Sequence, residues 1–80
     1  MNNKIGNNIT NFSDNIYENI IASILLQTIK DLVCIYEGRR VIGDTAESIE
    51  SWLFFAYNSN IIHTNPEYII RKCKALAKGE

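Results

Sequence analysis

Eighty residues, eight basic and nine acidic side chains for a net charge of −1, and two cysteines leave room for one domain. A fold of this size buries only roughly 60–65% of the surface its extended chain exposes, so a disulfide, a metal or oligomerisation usually supplements its core. The near-neutral charge argues against a dedicated binder of nucleic acid or anionic membrane.

Cys34 and Cys73 lack paired spacing and sit in apolar helical patterns, which reads as two small buried hydrophobes. His63, the only histidine, has no companions at catalytic or metal-ligand spacing and reads as an exposed loop residue. No metal, cofactor or catalytic residue is therefore expected. The chain reads as non-enzymatic, and oligomerisation is the supplement that remains. With no basic segment leading into an apolar stretch at the start, and no uninterrupted apolar run near the roughly 18 residues of a membrane span, the expectation is a cytoplasmic protein with no membrane partner.

Residues 1–19 contain seven asparagines, whose side chains compete with the backbone for hydrogen bonds and weaken helices. Residues 1–13 are accordingly expected to form a flexible segment, and 14–80 a single helical domain. Ile5, Ile9, Phe12 and Ile16 nevertheless fall at helical spacing, which would let this segment order on a partner.

Ser13 or Asp14 is placed to cap a long first helix running to Glu37. Ile16, Ile20, Ile24, Thr28 and Leu32 form one row, with Tyr17, Ile21, Leu25, Ile29, Val33 and Tyr36 beside it, making a wide apolar face. At 1.5 Å per residue such a helix is about 35 Å long, more than two short helices can cover. A second copy of the chain would cover the rest.

Gly38 and Gly43 bracket Arg39-Arg40-Val41-Ile42, where the chain reverses. Arg39 and Arg40, close to the start of the next helix, are candidates for binding a small anion, although arginines in a turn usually pair with carboxylates or face water. Asp44 followed three residues later by Glu47 resembles a capping box, which predicts a second helix from Thr45 to about Asn58.

That helix contains Trp52-Leu53-Phe54-Phe55-Ala56-Tyr57, six apolar residues in a row and more than one core-facing side can hide. Ile49, Leu53 and Ala56 form the expected seam with Trp52, and Phe55 is a further candidate for the core. The cluster Trp52, Phe54, Phe55 and Tyr57 is the candidate partner-binding surface, with Phe54 and Tyr57 most suited to an interface.

Ile61 and Ile62 are expected to fold back as an apolar plug. Asn65 then caps a third helix with Pro66 at its first position, from which Ile69, Ile70, Cys73, Leu76 and Ala77 face inward. Arg71, Lys72, Lys74 and Lys78 face water and are candidates for phosphate contacts if the second and third helices act as a DNA-binding pair. The seven residues from Ser59 to Asn65 are long for that motif, and cations late in a helix are expected from its dipole alone.

Three stretches share one further feature. Ile29-Lys30-Asp31, the aromatic run continued by Asn58-Ser59, and Pro66-Glu67-Tyr68-Ile69-Ile70-Arg71-Lys72 follow in an order by which Ile24 to Ala77 resembles small helical proteins encoded by phages and prophages of low-GC Gram-positive bacteria. The resemblance implies an accessory protein without an assigned activity, and no residue role carries over from it. Taken together, the expectation is an all-α three-helix domain with one long and two shorter helices, a homodimer, acting by protein–protein interaction and inhibiting a host protein. A small DNA-binding regulator and a small anionic-ligand binder are the alternatives.

Overall fold

A computed structural model of the chain describes the backbone from Asn2 to Glu80 and the side chains from Asn15 onward. It is all-α, with α1 at Asn2–Tyr36, α2 at Ala46–Asn58 and α3 at Pro66–Ala77.

α1 begins at Asn2, ahead of the Ser13 or Asp14 cap expected from the sequence. No proline interrupts the segment, and each asparagine costs at most about 0.7 kcal/mol relative to alanine in a helix, which weakens the helix without defining an end. The expected flexibility of residues 1–13 concerns side chains outside the described residues. At its other end α1 closes on Gly38 (φ 86°), with the Arg39 amide donating to the Cys34 carbonyl and the Gly38 amide to Ile35. This pair of bonds needs a left-handed residue, which glycine adopts at no steric cost. The end of α2 uses the same pair around Asn60 (φ 61°), whose amide donates to Tyr57 while that of Ile61 donates to Ala56.

The start of α2 corrects the expected Asp44–Glu47 capping box. Thr45 is the cap: its hydroxyl accepts from the Ser48 amide at 3.1 Å, and the Thr45 amide donates back to Ser48 Oγ at 3.0 Å. The box is shifted by one residue because a serine at the third helical position can do the work of a glutamate. α3 starts as expected, with Asn65 Oδ1 accepting from the Glu67 amide and Pro66 at the first position.

Leu32, Ile49, Leu53, Ala56, Ile62, Ile69 and Cys73 make the core. Leu32 is the only described residue of α1 that is fully buried, and Ile21, Leu25, Ile29, Val33, Ile35 and Tyr36 pack around it at the edge. α1 therefore meets the others through its C-terminal half, more extensively with α3 than with α2. Ile62 is buried under the α2–α3 connection, as the expected plug. Both cysteines are free thiols, Cys73 buried and Cys34 half-buried, and burial raises the Cys73 pKa.

Candidate interaction surface

α1 carries apolar side chains on two sides, and only one is used. Successive residues are 100° apart around a helix, so Ile21, Leu25, Leu32 and Tyr36 fall together on the side facing α2 and α3. Ile16, Ile20 and Ile24 form a second row about a third of a turn away, and all three are exposed, at 43%, 52% and 44%. With Asn19 and Ser23 they line one shallow surface, and Ile24 continues it into a cleft beside Trp52 and Ile49 where α2 crosses. The row ends in a polar pair, Gln27 Nε2 donating to Asp31 Oδ1 at 2.9 Å. On the core side, Tyr17, Ile21 and Leu25 form an apolar groove with Ile62 and His63 of the α2–α3 connection. The sequence placed the Ile16–Leu32 row in one wide face. What it missed is that the core reaches only Leu32 of that row.

The aromatic run of α2 is split by the helix. Leu53 is buried and Trp52 half-buried, as expected, but Phe55 is 62% exposed and does not join the core. Phe54 and Tyr57 are exposed only to 37% each. Since Phe54 and Phe55 stand 100° apart, they do not form one patch. Phe55 is the aromatic that the structure leaves most open in this helix. Leu76, expected to face inward, is 54% exposed.

On α3, Arg71, Lys74 and Lys78 line one exposed groove, bounded by Glu67 and Glu80. Lys72 lies elsewhere, its Nζ 5.6 Å from the centre of the Tyr68 ring. Lys74 is tied to the fold by a similar contact, 5.5 Å from the Tyr36 ring centre. At the α1–α2 turn Arg39 pairs with Glu37, which raises the guanidinium pKa. Neither Arg39 nor Arg40 lines any of these clefts. Among the described residues, no three His, Cys, Asp or Glu side chains converge as a metal site would require.

Averaged over its length, Asn15–Tyr36 is long and apolar enough to cross a membrane, which a search for uninterrupted apolar runs overlooked. The C-terminal part of that stretch is committed elsewhere. Leu32 is fully buried against α2 and α3, and Tyr36 hydrogen-bonds to Glu50.

Comparison with protein-family models, curated proteins and solved structures finds no match. The functional reading therefore stands on these surfaces.

Proposed function

We propose that the protein is a non-enzymatic interaction protein that works by presenting the exposed side of α1 to an apolar surface of another protein molecule. What supports this above the alternatives is the unbroken exposed row Ile16, Ile20 and Ile24 on a helix already anchored by its other side. Isolated exposed leucines or isoleucines are ordinary on soluble proteins, but a row at successive turns of one helix is the form in which helices recognise apolar partners. Self-association is its simplest expression. Inhibition of a host protein, by an accessory protein of the phage or mobile-element kind that the chain resembles, is its sharper form.

The test is recovery of the partner or homo-oligomer by Ile20→Glu, after circular dichroism shows unchanged helix content. Loss of partner with the fold intact is expected. Full retention removes this function for the α1 row.

A second reading, nucleic-acid binding, has one observation in its favour: Arg71, Lys74 and Lys78 do share an exposed groove. Glu67 and Glu80 at the same groove oppose it, leaving a small net positive charge where phosphate binding draws on many uncompensated cations. The anionic-ligand reading of Arg39 and Arg40 draws no support from the four clefts described above, none of which either residue lines.

A further inference from the structure

We propose that the cleft between α1 and the start of α2 is a binding site for a small organic cation, a guanidinium carried on a short apolar stem. This ligand is separate from the protein partner proposed for the Ile16, Ile20 and Ile24 row, so the two proposals stand or fall independently.

Three segments build the cleft, whose volume of about 320 Å³ is on the scale of small-ligand pockets. Asp31 comes from α1, Asp44 from the α1–α2 connection and Trp52 from α2. Ile24 and Ile49 add apolar wall on either side. Asp31 and Trp52 are half-buried, which withdraws part of the carboxylate and of the indole from bulk water.

Charge selects the ligand. Two carboxylates line the cleft and no described basic side chain does. Among the described residues neither carboxylate is in an ion pair, the one arginine that pairs being Arg39 with Glu37. A carboxylate offers about four acceptor sites, and the fold uses few of them here. Asp31 accepts from Gln27, while Thr45 and Ser48 close the cap of α2 between themselves and leave Asp44 out of it.

The hydroxyls of the cleft are already committed. Thr28 Oγ1 donates to the Ile24 carbonyl at 2.7 Å and Ser48 Oγ to the Thr45 carbonyl at 2.9 Å. What remains is mainly acceptors beside apolar walls, which calls for a ligand that donates and carries positive charge. A hard metal ion is a poor fit, since it takes about six oxygen ligands and keeps its water. A guanidinium is planar and weakly hydrated, so it can fork onto a carboxylate and stack on the indole while its stem covers the isoleucines. An ammonium holds its water more tightly.

Trp52 is the only tryptophan of the chain, so its fluorescence reports on this cleft alone. The full chain is titrated with butylguanidinium and, separately, with butylurea, which has the same shape without the charge. The expected result is a saturable change with half-saturation at about 1 mM for butylguanidinium, and binding at least about tenfold weaker for butylurea. Asp31→Asn and Asp44→Asn should each weaken the cation at least about threefold, as loss of a solvent-accessible ion pair does. Glu47→Gln removes the same charge from a residue that does not line the cleft and should leave the titration unchanged. The comparison of the two probes is made on the parent chain, so it decides the matter even if a variant fails to fold.

A response that does not saturate by about 20 mM, well beyond millimolar affinity, overturns the site. Equal binding of butylurea overturns the role of charge. Weakening by Glu47→Gln as large as that of the two aspartate variants reduces the effect to the diffuse field of the surface and also overturns the site. Tighter binding of butylammonium overturns the choice of guanidinium.

Discussion

The Tyr36 hydroxyl donates to Glu50 Oε2 at 2.7 Å while the ammonium of Lys74 rests 5.5 Å from the centre of the same ring. One side chain at the end of α1 thus engages both α2 and α3. Burial, the hydrogen bond to Glu50 and the negative charge of that carboxylate all raise the phenol pKa well above its ordinary value. The position suits a tyrosine better than a phenylalanine because a carboxylate waits at the ring's tip.

Tyr36→Phe should therefore cost about 0.5–1.5 kcal/mol, a typical net hydrogen bond, with the ring and its Lys74 contact retained. The pH dependence gives a stricter check. Above about pH 10 the unfolded chain releases the Tyr36 proton while the folded chain holds it, so the parent loses stability as pH rises through that range. The variant lacks this loss, and the gap between their thermal midpoints should narrow from pH 8 to pH 11. A gap that widens would contradict the bond.

The cap of α2 provides a paired test. Thr45→Ala removes the hydroxyl that accepts from Ser48 and should destabilise by about 1 kcal/mol, or roughly 4–8 °C in a domain of this size. Asp44→Ala should shift the melting temperature by less than half as much. Equal shifts for the two would return the cap to Asp44.

Local chemistry made much of this fold legible in the sequence. Gly38, the Asn65-Pro66 start and the Ile49, Leu53 and Ala56 seam each follow from one turn of helix or one cap, and each is found where expected. The Thr45–Ser48 box was missed by one position because Asp44, Thr45 and Ser48 are all good capping residues and only geometry chooses among them. Exposure of Phe55 was missed for a different reason. At 100° per residue Phe55 lies about 130° from the centre of the Ile49, Leu53 and Ala56 seam, so the helical period already turns it outward, and only its apolar character argued for the core. The Tyr36–Glu50–Lys74 arrangement spans three helices and leaves no local signal at all. For the interaction surface, the length of α1 pointed to uncovered apolar area, but which row remains free became definite only once Leu32 was seen to be the buried anchor.

Leu32 and Ile24 separate folding from docking on the same helix. Leu32→Ala opens a cavity where α1 meets α2 and α3 and should cost about 2–5 kcal/mol, lowering the thermal midpoint by at least about 8 °C. Ile24→Ala should leave the melting of dilute protein within about 2 °C, because its side chain is 44% exposed, and should act at high concentration by weakening association. Equal losses at low concentration would show that Ile24 belongs to the core.

Charge reversal distinguishes the apolar surface from the basic groove of α3. Arg71→Glu with Lys78→Glu removes two of the three cations that line the groove and spares Lys74, whose contact with Tyr36 helps hold the fold. Binding through phosphates should fall steeply in this variant and weaken in the parent as salt rises, with a log–log slope near −0.9 per contact made to duplex DNA. Phe55→Asp changes the most exposed aromatic of α2 and should leave any such binding nearly unaltered. The expected outcome is that the double charge variant keeps the homo-oligomer and any recovered protein partner, whereas Ile20→Glu loses them. Loss of partner on charge reversal, alongside full retention by Ile20→Glu and Phe55→Asp, would move the working surface from α1 to α3 and make nucleic-acid binding the better account.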